Sequence, residues 1–227
     1  KQPWILDEPS SYWDYRALAY YGDLVKQSTL PNLRYRIDIS RPQFTRGQLR
    51  DKAALWVVGS DAFRTYPRLL ADRREREGTD MWIYGTTPAP ERPVEEVQAW
   101  VMEAYRRGAT GVVPWQTVDK KGSSLTTANA LGLFIFDHSG DALQIRHSRR
   151  LRGYRRAEQD IEYLELLRRK REWSREQLEA FIDHYLTFKG EFKSRYSEDA
   201  GAIEYAGLRS EDFTKLREAA AVMIAGD

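Results

Sequence analysis

Met81-Trp82-Ile83-Tyr84-Gly85 reads as a strand, Pro93 to Arg107 as a helix, and Thr110-Gly111-Val112-Val113-Pro114-Trp115 as a second strand. The helix carries its own punctuation. Pro93 stands near its start, Glu95 and Glu96 in its first turn, Arg106 and Arg107 in its last, and Gly108 just after it. A strand, a crossover helix and another strand at this spacing imply a parallel pair.

The same alternation extends upstream. Ala53–Val58 is an apolar run with the length of a buried strand, and Tyr66–Glu77 is a strongly charged helix stopped by Gly78. Leu33–Ile39 alternates as a strand, and Thr45–Lys52 is a short helix. Tyr12–Lys26 places Tyr12, Tyr15, Leu18, Ala19 and Leu24-Val25 at roughly helical spacing, with Ser10 or Ser11 as its cap. Trp4-Ile5-Leu6-Asp7 is a further strand, and Glu8-Pro9 follow it directly.

The pattern then changes. Asp119–Asn129 is a polar loop, Leu131–Asp137 a strand or sheet edge, and His138–Gly140 a turn. From Gln144 the chain reads as helical to its end: Arg149–Lys170 with Leu151, Tyr154, Ile161, Leu164 and Leu167 inward, then Glu176–Tyr196, then Ser210–Ile224 capped by Ser210. About five βα units precede this tail, whereas a complete eight-fold barrel takes roughly 250 residues. The expected fold class is α/β: residues 1–145 form the second half of a (β/α)8 barrel, and residues 146–227 form helices packed on it. The chain opens with Lys1 rather than Met, directly before a strand, so it reads as a piece of a longer chain or a processed product, with the missing strands upstream.

Composition bounds the function. Of 227 residues, 41% are hydrophobic, enough for a core, and 31% are charged with a net charge of only +2. That balance gives no bulk case for nucleic acid. No cysteine is present, so disulfides, thiolate chemistry and cysteine-ligated metals are excluded. No apolar run reaches membrane-spanning length. His138, His147 and His184 lack metal-ligand spacing, and no glycine-rich phosphate loop occurs, so no metal or cofactor is expected. Seven Trp and thirteen Tyr supply rings for sugar stacking or for ordinary core. The basic stretches Arg146–Arg156 and Arg168–Arg171 are interleaved with Glu158, Asp160, Glu162 and Glu165. That interleaving predicts ion pairs along a solvated helix face.

Asp7-Glu8 is the leading catalytic candidate. The two carboxylates close an apolar strand, at the strand end where barrels build chemistry. A proton donor beside an anion is what glycosidic cleavage needs. Successive strand residues point to opposite faces, so both acids can face one ligand only if the strand breaks there. Pro9 supplies a reason for a break. Trp82 and Tyr84 share a strand face, as core or as a sugar platform. Trp115 ends its strand where a ring could lie under a sugar, with Gln116 and Asp119 following as hydroxyl partners. Asp38 shares a face with Arg36, as an ion pair or a sugar contact. Trp56 reads as core.

Three patches, taken in order, resemble the C-terminal part of the glycoside hydrolase family 123 catalytic domain and its DUF4091-type relatives. They are Asp7-Glu8-Pro9 before a Tyr-containing helix; Trp82-Ile83-Tyr84 with Gly108-Ala109-Thr110-Gly111 and Trp115; and Arg155-Arg156-Ala157-Glu158-Gln159-Asp160-Ile161-Glu162-Tyr163-Leu164. Two positions depart from the pattern: Ala157 stands where the family tends to have Gly, and Pro114 precedes Trp115. The resemblance implies retaining hydrolysis of a β-linked N-acetylhexosamine, typically N-acetylgalactosamine, with the substrate's acetamido oxygen as nucleophile. It would make Glu8 the general acid/base and Asp7 the residue that orients the acetamido group. It also implies a secreted or periplasmic setting and a carbohydrate substrate; net charge and apolar run length separately give no expectation of a nucleic-acid or membrane partner. The competing reading is a non-catalytic carbohydrate-binding or scaffold domain on the same fold. A remoter one is a helical interaction module from Tyr154 to Asp227.

Overall fold

The structure is a computed structural model that describes residues 6–30, 32–86, 92–115, 117–118, 132–137, 140–193 and 202–226. Two compact units emerge. One takes in Lys1–Gly85 and Gly108–Val113, together with residues 194–201, which lie outside the described ones. The other takes in Thr86–Arg107, Pro114–Lys193 and Ala202–Asp227.

A four-stranded sheet in the order β1 (Arg36–Ile39), β2 (Leu55–Gly59), β3 (Asp80–Thr86), β4 (Gly111–Trp115) carries the first unit. β1 and β2 pair in parallel, as do β2 and β3, with Ile37 beside Trp56 and Met81, and Ile39 beside Val58 and Ile83. These six side chains form one face, and none is more than 1% exposed. Such uniform burial is what near-continuous apolar runs produce in parallel sheets. The strictly sequential order means every crossover steps to the next strand, as in the wall of a barrel. The closed eight-stranded barrel itself is not formed by the described residues: the sheet has four strands and two edges. Pro114 lies on β4, one of those edges, where a missing backbone donor is tolerated.

Helix α1 (Tyr12–Gln27) starts at Ser11 in a full capping box with Asp14. Its buried stripe is Tyr15, Leu18 and Gly22, narrower than the sequence implied; Tyr12 and Leu24 are exposed. The expected helix Thr45–Lys52 is instead a short 3-10 turn, Pro42–Phe44, followed by consecutive tight turns. Gln48, Arg50 and Lys52 donate backbone N–H groups to the third residue back, and Arg46, Gly47 and Asp51 hold positive φ, which breaks any α ladder. Helices α2 (Ser60–Thr65) and α3 (Pro67–Glu77) meet at Tyr66, which Pro67 keeps out of the helical region. Gly78 ends α3 at φ 61°.

The second unit is built around α4 (Glu95–Arg106) and α5 (Arg149–Lys170). On α5 the buried residues are Arg150, Gly153, Ala157, Asp160, Leu164 and Leu167, a three-four spacing that makes one continuous seam. Leu164 and Leu167 were expected there; Leu151, Tyr154 and Ile161 flank the seam instead. Gly153 is where α4 comes closest: a Cβ would lie 2.9 Å from Val94 Cγ2 and 3.0 Å from Val97 Cβ. The small residues at the seam are Gly153 and Ala157.

Two segments read as helical are strands. Gln144–His147 (β6) pairs antiparallel with Phe134–Asp137 (β5), and Arg146 reaches the buried Asp137 carboxylate at 2.8 Å. The expected helix Glu176–Tyr196 stops early: α6 spans Arg175–Tyr185, and Leu186 turns extended. β7 (Lys189–Lys193) then pairs with β8 (Ala202–Ala206). Thr187 and Phe188 suit a pleated surface, and Gly190 is a poor helix former. The last helix, α7 (Ser210–Ala225), has Arg209 rather than Ser210 at its cap.

α7 is tied to α5 by Arg217, whose Nε donates to the buried Asp160 carboxylate. Burial raises the Asp160 pKa, and Arg217 only partly opposes it. A native value above the unfolded one means that this group's contribution to stability is fully present below about pH 4 and is lost as pH rises through the native value. Arg217→Met should therefore cost about 3 kcal/mol near neutrality and less in acid, read by urea unfolding at the two pH values. Gly153→Val should cost about 2 kcal/mol by overpacking the α4–α5 contact, read in the same assay.

Candidate functional site

The face of the sheet opposite the apolar one carries different residues. Alternation places Arg36 and Asp38, Leu55 and Val57, and Trp82 and Tyr84 together. Leu55, Val57 and Tyr84 form a buried cluster, with Trp82 and Val113 packed against it. Asp38, Val57 and Trp82 share one register row. Two residues further along, about 7 Å nearer the C-terminal strand ends, Tyr84 lies beside Gly59. Position along the strand thus sorts the candidates into a deeper row and an outer one.

Glu8 meets the outer row. The Tyr84 hydroxyl, on a side chain only 7% exposed, donates to Glu8 Oε1 at 3.2 Å. Residues 1–5, with the first half of the expected strand Trp4–Asp7, lie outside the described ones. Leu6 to Glu8 form a bend, and Glu8 has φ 43°. The break that two neighbouring acids require is present in the backbone. A non-glycine residue in the left-handed region costs of order 1 kcal/mol or more, and surrounding contacts must hold it.

The neighbouring chain supplies such contacts. Pro9 is buried, and the Ser40 hydroxyl, itself buried at the end of β1, donates to the Pro9 carbonyl at 3.0 Å. The next residue, Arg41, donates its backbone N–H to the Tyr15 hydroxyl at 3.1 Å, and burial pushes that phenol up to about 12. Ser10 and Ser11 donate backbone N–H groups to Asp14, which holds the Asp14 carboxyl below its ordinary value. On the sheet side, the Ser60 hydroxyl donates to the Tyr84 carbonyl at 2.9 Å and ties the ends of β2 and β3 together. Sequence reasoning missed Ser40 and Ser60. Their only signal was a serine just past the end of a strand.

The other candidates fall as follows. Asp7 is exposed in the bend beside Glu8. Asp38 is 4% exposed and accepts from Arg36 Nη2 at 2.8 Å, so it forms an ion pair in the deeper row. Trp82 lies across β4 at Gly111, where a Cβ would come within 2.7 Å of the indole nitrogen. Trp115 ends β4 and is 37% exposed, within the second unit. Gln116 and Asp119 lie outside the described residues. Trp56 is core, 1% exposed. Among the described residues, no group of three or more His, Asp or Glu side chains could hold a metal ion.

No protein-family model matches the chain, and no curated protein does. Among solved structures, it is similar to a family 123 glycoside hydrolase from Clostridium perfringens, described for glycolipid glycan hydrolysis. The TM-score is 0.50 at 13% sequence identity, over 91% of this chain and 38% of that one. The chain thus spans well under half of that enzyme. At this identity the likeness speaks for the fold alone, a partial α/β glycosidase-like domain.

Ser40→Ala should loosen the Pro9 anchor and cost about 1 kcal/mol. Hydrogen exchange should then rise at residues 8–11 while the buried strands β2 and β3 keep their protection.

Proposed function

We propose that this chain carries the acid/base carboxyl of a glycoside hydrolase acting on β-linked N-acetylhexosamine, and that its sheet is the second-half wall of a barrel. One observation supports this most: a strained glutamate at the C-terminal end of a parallel sheet, bonded to a buried tyrosine hydroxyl. Strand C-termini are where barrel enzymes place their catalytic groups.

In this reading Glu8 protonates the leaving glycosidic oxygen. The substrate's acetamido oxygen closes on the anomeric carbon as the bond breaks, and Asp7 holds the acetamido nitrogen. Glu8 then takes a proton from water, which opens the intermediate with net retention. A protein nucleophile would have to stand about 5 Å across the sugar from the acid. Asp7 is next to Glu8 in the chain and suits the orienting role better. Tyr84 keeps the Glu8 carboxyl in one rotamer, and Trp82 and Asp38 form the floor a row below.

The test is hydrolysis of chromogenic β-N-acetylgalactosaminide, β-N-acetylglucosaminide and β-galactoside by the parent protein and by Glu8→Gln and Tyr84→Phe. Glu8→Gln should lose at least about 100-fold in kcat while still binding product. Tyr84→Phe should lose about 10-fold, the order expected for one hydrogen bond to a charged group. Equal turnover of the plain galactoside would overturn substrate assistance. Unchanged turnover in Glu8→Gln would overturn the assignment of the acid.

A further inference from the structure

The ion pairs expected along α5 are not formed in its first half. Asp160 is taken by Arg217 of α7, Glu165 by Arg168 and by the Tyr105 hydroxyl, and Arg146 by Asp137. Arg149, Arg152, Arg155 and Arg156 are left with no hydrogen bond or ion pair among the described residues. Arg149 lies at the edge of the exposed surface and Arg152, Arg155 and Arg156 on it, all within the first two turns. Between Gln144 and Ala157 the sequence has six arginines and no acidic residue, although the whole chain carries only +2. The placement is also unfavourable for the helix, whose N-terminal end is the positive pole of its dipole. Like charges three and four residues apart repel as well. This cluster costs helix stability; the attraction of Arg156 to Asp160, which is itself paired with Arg217, offsets part of that cost.

Beside it lies exposed apolar surface. Ile145, on the strand that leads directly into α5, is 59% exposed, and Leu143, just before that strand, is 54% exposed. No described helix is long and apolar enough to cross a membrane. Arginines at the rim of a small aliphatic patch instead make up the composition of a surface that rests on a bilayer without crossing it.

We infer that β6 and the first two turns of α5 form a docking surface for an anionic lipid bilayer. The guanidinium groups pair with headgroup phosphates, and Leu143 and Ile145 enter the acyl boundary. Lipid is favoured over nucleic acid or a sulfated glycan by the aliphatic pair, which neither of those would bury. The inference does not rest on the glycosidase reading.

The experiment is sedimentation of the full chain with phosphatidylcholine vesicles, with and without phosphatidylglycerol, at low salt and at about 0.15 M. The protein should pellet with the anionic vesicles alone, more weakly as salt rises. Replacing all four arginines by Gln should weaken partitioning roughly 100-fold or more, since each charge near such a surface is worth about five-fold. Leu143→Ser/Ile145→Ser should keep binding at low salt and lose it at 0.15 M. Circular dichroism of each variant checks that the helices persist. Failure to pellet with anionic vesicles overturns the inference. So does binding to heparin or duplex DNA in preference to vesicles with the Leu143/Ile145 variant unaffected.

Discussion

The pleat of the parallel sheet is the constraint on which the rest depends. Side chains alternate faces with a period of two, and parallel pairing lines up the rows of three strands. One face is filled by Ile37, Ile39, Trp56, Val58, Met81 and Ile83, all sealed from water. With the sheet anchored by that face, the other is free to carry Arg36, Asp38, Trp82 and Tyr84 at fixed heights. A slip of one residue in any strand would exchange the two sets. It would bury Tyr84 in the apolar layer and remove the partner of Glu8.

Glu8 itself is not held by the sheet. Its position comes from a chain of small anchors: Pro9 buried, its carbonyl bonded to Ser40, Arg41 bonded to Tyr15, and Ser11 and Asp14 capping α1. Each is worth about 1 kcal/mol, and together they keep a left-handed, non-glycine residue in place. The arrangement fixes the carboxyl at the sheet's C-terminal end, while Asp7 and Glu8 both stay exposed. A loop that carries strain on its exposed side and buried bonds on its inner side suits a residue that must meet a ligand.

How much of this the sequence disclosed follows from which forces are local. Arg149–Lys170 was legible to the residue because its caps and periodicity lie within the segment. The sheet strands were legible from patterns within each segment, such as the apolar run of β2, buried throughout, and the alternation of β1. β6, β7 and β8 were missed because each is stabilised by pairing with a partner strand rather than by its own pattern. The helix expected at Thr45–Lys52 was lost to three positive-φ residues, whose cause is the turn geometry between β1 and β2. In the site, Glu8 and Tyr84 were both named from sequence, but their meeting across 76 residues of chain was not predictable. Ser40 and Ser60 act only through that tertiary placement, and a serine just past a strand end does not by itself disclose it.

The same distinction explains the basic stretch. In sequence, arginines followed by glutamates suggest a helix that neutralises itself. On the helix the charges separate by position: Arg149, Arg152, Arg155 and Arg156 precede Glu158 and Glu162, and the remaining acids turn towards α4 and α7. Pairing at three or four residues then joins Arg149 to Arg152 and Arg152 to Arg156, so that like charges face one another. Net charge, summed over the chain, hides this because it discards position. The buried seam of α5 fixes which way this face points: turning the helix would expose Leu164 and Leu167 and drive Gly153 off its contact with Val94 and Val97. Packing fixes the orientation, and the orientation leaves Arg149, Arg152, Arg155 and Arg156 exposed.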